Sequence, residues 1–203
     1  MEIRRMTEKR EDRNDALFTS KGGGRSDNFI PDWYREHTPE FMANAYNKAA
    51  MIITENRREI SYHGDQAMWP VGFLHRHAIE LITKELIAST HVYLGRTFNE
   101  RIVWGHDLDA LWRTCRQLLI EIGIFNDEAA QPIDSVVIDL HDVDPKGDAF
   151  RYWLSSDGKR NLEKVPRHTS VVGFSIVCNE CFQQLSGSLI GINEAIHMME
   201  ENR

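Results

Sequence analysis

A stripe of charged residues stands in the middle of the chain, at spacings that would bring them together on a helix. His77, Glu80 and Lys84 are three and four positions apart, so they share one helical face, and Arg76 borders it. A carboxylate held between two cations keeps a fixed position, and its ionised form is favoured. Such a stripe can orient a catalytic group, or it can only hold a helical bundle together, since buried charges are usually paired to satisfy one another.

A second candidate group lies beside a glycine turn later in the chain. Asp107 is of a residue type that caps helix N-termini, and it directly precedes a segment with helical periodicity. His106, between Gly105 and Asp107, could face the charged stripe, and histidine is the side chain that exchanges protons near neutral pH. The alternative is that His106 only packs at the start of the helix.

The charged stripe requires a helix to carry it, and the surrounding sequence predicts a long one. Pro70 fits the first turn of a helix that continues to about Leu94 and is closed by Gly95. At about 100° per residue, apolar side chains cover one broad face of this segment, namely Val71, Leu74, Ala78, Ile79, Leu81, Ile82 and Leu86. A helix that is apolar over so wide an arc is predicted to lie at the centre of the fold.

Four further helices are predicted around the central one. They span about 39–58, with Thr38 as N-cap, then 107–122, a segment from 126 or 127 to 139, and 169–200. Their predicted core positions are Leu108, Leu111, Leu118, Leu119, Val136, Val137, Leu140, Val172, Ile176, Leu185, Leu189, Ile192 and Ile196. Short connections favour antiparallel neighbours, so we expect an all-α, up-and-down bundle of about five helices over residues 30–203, after a flexible arm at 1–29.

Composition narrows the class of protein. A chain of 203 residues with 41% apolar content can form one domain with a substantial core. Its net charge of −7 does not attract polyanions over the whole surface, so RNA binding would need a local basic patch. Three cysteines do not suit a small disulfide-rich secreted domain, and no apolar run reaches the roughly 18 residues of a membrane span. We therefore expect a cytoplasmic protein without membrane contact.

The order of these motifs resembles that of the HEPN family. Residues 76–87 combine an Ala-hydrophobic-Glu sequence with a lysine four positions after the glutamate, and residues 105–108 contain a His-Asp-Leu helix start. Arg151 and Tyr152 are similar to the Arg-Tyr segment that precedes the last helix in many HEPN proteins. The resemblance covers roughly residues 40 to 200.

The resemblance implies an antiparallel helical bundle that often dimerises and that in many members is a metal-independent endoribonuclease. In those nucleases an Arg and a His lie four to six residues apart near the last helices, where the His can transfer protons and the Arg can hold the phosphate. This chain departs from that pattern, because no His follows Arg151 at such a spacing. The spacing occurs only elsewhere, from Arg58 to His63 and from Arg101 to His106.

Two hypotheses of different classes follow from the resemblance. The first is a protein that binds RNA or a nucleotide and cuts RNA, in a prokaryotic toxin, antiviral-defence or stress setting. Its expected catalytic residues are Arg76, His77, Glu80, His106 and Arg151, and its expected binding residues are Lys84, Asp107 and Tyr152. The alternative is a catalytically inactive module that assembles as a homodimer, mainly through the last helix, or with a protein partner. Neither requires a cofactor, a metal ion or DNA.

Metal binding by cysteine has a simpler alternative. Cys178 and Cys181 are spaced as in a zinc knuckle, but they form a single pair inside a predicted helix, which favours core thiols. A zinc site made of His77, His106 and Glu80 is a lesser possibility by ligand type.

Two further groups of residues carry ordinary structural interpretations. The acidic residues at 139–148 lack the ligand order of a calcium loop and are predicted to form a solvated turn, and residues 150–153 a short extended piece. The tryptophans at 69, 104, 112 and 153 are predicted to be core or rim residues, although one near Arg151 could stack on a base.

Overall fold

The computed structural model describes residues 38–202, and this part of the chain is almost entirely helical. Its helices are α1 (Pro39–Glu55), α2 (Arg57–Ile60), α3 (Met68–Tyr93), α4 (Leu108–Glu121), α5 (Asp127–Val143) and α6 (Val171–Glu201), and short 3-10 turns precede α3 and α4. The predicted all-α bundle is confirmed, and the arm at 1–29 lies outside the described residues. None of the helices in the described range is long and apolar enough to span a membrane.

Helix α3 is central, as its wide apolar face predicts. It packs against α1, α4 and α6. Six of its apolar side chains have no exposed surface, namely Val71, Ala78, Ile79, Ile82, Leu86 and Ile87. Because α3 is surrounded on several sides, polar residues at other positions of the same helix are also removed from water.

Side-chain caps explain why four of the helix starts were predictable. Thr38, Asp107, Asn126 and Ser170 each accept a hydrogen bond from the backbone N–H three residues later. Such a cap satisfies a donor that the first helical turn leaves unpaired. The capping residues therefore define the starts of α1, α4, α5 and α6 within a residue or two of the sequence prediction.

Helix α5 and the loop after it differ from the prediction. The helix ends at Val143 rather than near Asp139, because Leu140 is buried and the extra turn keeps it in the core. Residues 150–153 are not an extended piece: the backbone N–H groups of Arg151 and Tyr152 both donate to Asp148 O, which closes a turn. Only one isolated bridge, between residues 154 and 160, occurs in the described part of the chain.

Helix α6 also departs from its predicted core face. Ile176 was expected in the core but is 45% exposed, and Val172 is only partly buried. The inward face instead carries Ser175 and Cys178, followed by Phe182, Leu185, Leu189 and Ile192 at spacings of three and four. The prediction from apolar character was wrong for the first turns of α6. Ser175 can take a core position there because its hydroxyl has polar partners on other helices.

Candidate functional site

The charged stripe of α3 is a closed set of hydrogen bonds, and both Arg76 and Glu80 are buried. The Arg76 guanidinium donates through Nη1 to Glu80 Oε2 (2.5 Å) and through Nη2 to the backbone oxygen of His106 (2.5 Å). Its Nε donates to the backbone oxygen of Asp144 (3.4 Å). Arg76 thereby joins two other parts of the chain, at His106 and at Asp144, to α3.

Glu80 is the acceptor at the centre of this group. Its Oε1 accepts from Lys84 Nζ (2.7 Å) and lies 2.9 Å from His106 Nδ1. Burial by itself raises the pKa of Glu80, but hydrogen bonds and charges from Lys84, Arg76 and His106 outweigh it and hold the pKa below its usual value. Glu80 is therefore a buried carboxylate in its ionised form. We call Arg76, Glu80, Lys84 and His106 the charged cluster.

Two loops close over the charged cluster. Lys84 Nζ donates to the backbone oxygen of Gly105 (2.8 Å), which ties the loop before α4 to α3. Gly147, in the loop after α5, has a φ of +74°, and a Cβ atom there would lie 3.3 Å from His106 Cβ. A glycine at this position lets the second loop approach both His106 and Arg76 closely.

Asp144 anchors the second loop and corrects the prediction of a solvated turn. Its side chain is fully buried, with Oδ1 accepting from the backbone N–H groups of Asp148 (2.7 Å) and Ala149 (2.9 Å). Its Oδ2 has no hydrogen-bond partner but lies 3.6 Å from Arg76 Nε. The negative charge of Asp144 is thus balanced by Arg76, as that of Glu80 is.

His106 connects the charged cluster to solvent. Its side chain is 57% exposed, whereas the carboxylate that it contacts is 1% exposed. Because an ionised carboxylate can only accept hydrogen bonds, Nδ1 of His106 carries the hydrogen in this contact. Nε2 has no hydrogen-bond partner among the described residues. The imidazole is therefore oriented through Nδ1, while Nε2 belongs to a largely exposed ring and is free to bind another molecule. The expectation that His106 faces the charged stripe is confirmed.

His77 and Arg151 lie apart from this contact. The His77 ring packs between Tyr46, at 4.9 Å, and Phe73, at 5.7 Å and nearly parallel. Burial lowers the pKa of His77 below its usual value. The Arg151 guanidinium lies over the rings of Phe73 (5.8 Å) and Tyr152 (5.4 Å). Phe73 therefore lies between the two predicted catalytic residues, which contact it but not each other.

A second polar group on α3, which the sequence did not single out, is sealed inside the bundle. His75 has its Nδ1 3.0 Å from Asn47 Oδ1 and its Nε2 2.8 Å from Ser175 Oγ, and Thr54 donates to the same serine. We call these four residues the buried polar network. Burial lowers the pKa of His75 to about 4, so the ring is neutral at pH 7. Although serine and histidine are in contact, their burial prevents any substrate from reaching them.

Metal-ligand residues come together at one place in residues 38–202. Asp107, Asp109 and His141 place one ligand atom each within 4.8 Å of one another. Two of them have other roles, because Asp107 caps α4 and Asp109 forms an ion pair with Arg113. The group lies next to the charged cluster in sequence but shares no residue with it. The combination of His77, His106 and Glu80 is not among the metal-ligand groups of this region.

A pair of cysteines on α6 and an apolar cavity lie outside the charged cluster. Cys178 and Cys181 are buried core thiols, as predicted, and burial raises the pKa of Cys181 to about 12. A cavity of about 610 Å³ lies between α5, the loop before α6 and the first turns of α6. It is lined mainly by apolar side chains, and none of the predicted site residues contributes to it.

Comparison of the chain with protein-family models, with curated proteins and with solved structures finds no match. The HEPN resemblance therefore remains a prediction based on its motifs. What the site can do follows from its own geometry.

Proposed function

We propose that the protein binds RNA and cleaves it without a metal ion, with His106 as the proton-transfer group and Glu80 as its positioning residue. One observation carries the proposal: a buried, ionised carboxylate holds a largely exposed imidazole through Nδ1, and no described residue binds Nε2. An imidazole fixed in this way keeps one tautomer and one orientation.

RNA is the substrate class that suits such a site best, because the ribose 2′-OH serves as the nucleophile and the protein has to supply only the proton transfer. Nε2 of His106 accepts the proton of a ribose 2′-OH, and the 2′-oxygen attacks the adjacent phosphorus. The bond to the 5′-oxygen breaks, which leaves a 2′,3′-cyclic phosphate. The 5′-oxygen takes up a proton from water, and the His106 imidazolium returns its proton to water. No side-chain nucleophile is required.

The other predicted site residues take different roles. All three nitrogens of the Arg76 guanidinium donate hydrogen bonds to protein atoms. We therefore assign Arg76 to positioning His106 and not to holding a phosphate. Arg151 is exposed and is the phosphate-binding candidate, together with its neighbour Tyr152. Lys84 is mostly buried and completes the charge balance of Glu80. Asp107 fixes the start of α4 directly after His106.

The test compares RNA cleavage by wild type, His106→Ala and Glu80→Gln in the presence of a chelator. We expect wild type to release fragments with 2′,3′-cyclic phosphate ends, His106→Ala to release none, and Glu80→Gln to cut more slowly. His197→Ala is the matched control, because His197 is an exposed histidine on α6 that should leave the rate unchanged. Unchanged cleavage by His106→Ala refutes the role of His106. No cleavage by folded wild type refutes the nuclease activity itself.

The second candidate function is a catalytically inactive module that assembles with itself. It is favoured by exposed large apolar side chains along α6, namely Ile176, Val177, Ile190, Met198 and Met199. Sedimentation equilibrium of wild type and Ile190→Ser tests it: a dimer that dissociates in the variant supports assembly, and a monomeric wild type refutes it. Ile138→Ser, at an equally exposed position on α5, is the matched control.

A further inference from the structure

Three arginines lie over the rings of exposed aromatic residues on the two loops that close the charged cluster. The pairs are Arg101 with Trp104 (5.9 Å), Arg160 with Trp153 (5.6 Å) and Arg151 with Tyr152 (5.4 Å), measured from guanidinium carbon to ring centroid. Trp104 immediately precedes Gly105, whose oxygen binds Lys84, and Tyr152 follows Arg151, which lies over Phe73 of α3.

The aromatic rings of these pairs are not core or rim residues. Trp104 is 68% exposed, Trp153 66% and Tyr152 56%, whereas Trp112 is buried. Large aromatic rings in water keep apolar area that folding has not removed, and such rings are a common means of contact with a ligand. The prediction that the tryptophans are core or rim residues therefore fails for Trp104 and Trp153.

Hydrogen bonds order the backbone that carries Tyr152 and Trp153. Ser155 N–H donates to Lys159 O (2.9 Å), and Asn161 N–H donates to Trp153 O (3.0 Å), across the isolated bridge of Leu154 with Arg160. The Asn161 side chain also donates to Tyr152 O (2.8 Å). Residues 152–161, which carry two exposed rings and Arg160, thus form one hydrogen-bonded turn, which lowers the entropy lost when a ligand stacks on them.

The two loops contact the same helix at successive positions. Arg151 lies over Phe73, His106 contacts Glu80, and Gly105 binds Lys84. At the usual rise per residue, the distance along α3 from Phe73 to Lys84 is about 16 Å. An extended strand of a few nucleotides covers such a distance, with His106 between the outer contacts.

The charge of the second loop suits a polyanion. Residues 145–168 contain six lysines and arginines against three acidic residues, in a chain whose net charge is −7. This segment is the local basic patch that RNA binding requires of an acidic protein. A basic surface interleaved with aromatic rings is the usual means of binding single strands.

We infer that the substrate at this site is single-stranded RNA whose unpaired bases stack on Trp104, Tyr152 and Trp153. The inference rests on the proposed function and names the substrate class of the same site. Duplex RNA keeps its bases stacked inside the helix and is recognised through its shape and backbone, so exposed rings contribute nothing to its binding.

Binding is measured by fluorescence anisotropy in the full chain carrying His106→Ala, so that cleavage does not change the ligand. The probes are a labelled 12-nucleotide RNA of unstructured sequence and the duplex of the same RNA with its complement. We expect tighter binding of the single strand, and a loss of about 5- to 150-fold in its affinity for Tyr152→Ala or Trp153→Ala, as for the loss of one stacked base. Tyr152→Phe, which keeps the ring, should bind within about twofold of the parent chain.

The outcomes separate this inference from the proposed nuclease. Equal affinity for single strand and duplex, or unchanged affinity in both alanine variants, overturns the stacking surface even if wild type cuts RNA through His106. Loss of single-strand binding in the alanine variants supports the surface, even if no form of the protein cleaves. Circular dichroism of each variant shows that the fold is intact, and Trp69→Ala, a tryptophan of α3 outside the two loops, is the control for general loss of an aromatic residue.

Discussion

Two polar regions begin at neighbouring residues of α3, and they differ in their access to water. The buried polar network starts at His75 and reaches Asn47 and Ser175, all of them inside the bundle. The charged cluster starts at Arg76 and ends at His106, which is more than half exposed. The polar groups of both regions form hydrogen bonds within the protein. Only in the charged cluster does a buried residue, Glu80, contact an exposed side chain, His106, that another molecule can reach.

The two regions also differ in charge and in what they join. The network is neutral, because burial keeps the pKa of His75 at about 4, and it joins α1, α3 and α6 to one another. The cluster contains the ionised Glu80 and joins α3 to two loops. Neutral hydrogen bonds suffice between helices that packing already holds, whereas loops without a large apolar face need stronger charged anchors.

The largest effect is expected from breaking the charged cluster at Arg76. Arg76→Ala leaves Glu80 and Asp144 as buried carboxylates without their shared partner, so the free energy of unfolding should fall by about 3–5 kcal/mol. Urea unfolding followed by circular dichroism measures it. Arg113→Ala removes an exposed ion pair with Asp109 and should cost less than about 1 kcal/mol. Equal losses in both variants would contradict the central role of Arg76.

The buried polar network should make the unfolding free energy depend on pH in the acidic range. The folded pKa of His75, about 4, lies below its usual value of 6.5, so the neutral ring stabilises the fold above pH 6.5. This contribution is lost as pH falls from 6.5 to 4, and it amounts to about 3 kcal/mol. His75→Gln should flatten the fall in unfolding free energy over this window. An unchanged slope in His75→Gln, with the fold intact, would show that the His75 ring is not held neutral.

The contribution of Glu80 to the unfolding free energy changes in a lower pH range than that of His75, so the two contributions can be measured separately. Its pKa is below the usual 4.5, so its stabilising effect is present above pH 4.5 and is lost as pH drops further. The difference between wild type and His75→Gln from pH 6.5 to 4.5 therefore reports on the network alone. His197→Gln, at an exposed histidine, is the control.

A smaller effect is expected where the second loop approaches α3. A Cβ atom at Gly72 would lie 2.3 Å from the Phe150 ring, directly before Arg151. Gly72→Ala should therefore displace the loop and lower the unfolding free energy by about 1–3 kcal/mol, even though alanine is the better helix former. Gly187→Ala, where a Cβ meets nothing within 4 Å, should raise it by up to about 1 kcal/mol. The thermal unfolding midpoints of both variants show whether steric crowding by Phe150 outweighs the higher helix propensity of alanine.

The smallest effect on stability is expected at His106. His106→Ala leaves Glu80 bound to Arg76 and Lys84, and its side chain is largely in water, so the unfolding free energy should fall by about 1 kcal/mol or less. His75→Ala, by contrast, empties a buried site and should cost more. A large loss for His106→Ala would make the histidine a structural residue and remove the distinction between the two regions.

Much of the candidate site was predictable, but its division into roles was not. The spacing of His77, Glu80 and Lys84 places them on one face of any helix, and Asp107 caps α4 as its type suggests. That His77 contacts Tyr46 of α1, while its neighbour Arg76 binds backbone oxygens of the two loops, depends on which segments pack against each side of α3. Helical spacing specifies a face but not its partners.

The sequence by itself determined the helices, because capping residues and the 3.6-residue period are local properties of the chain. It also determined that α3 is central, since its apolar arc is too wide for a surface helix. Only the tertiary structure decided that Asp144 is buried, that His75 is sealed with Ser175, and that Trp104 and Trp153 are exposed. Burial of a polar or aromatic residue depends on which distant segment packs against it, and that is a property of the folded chain as a whole.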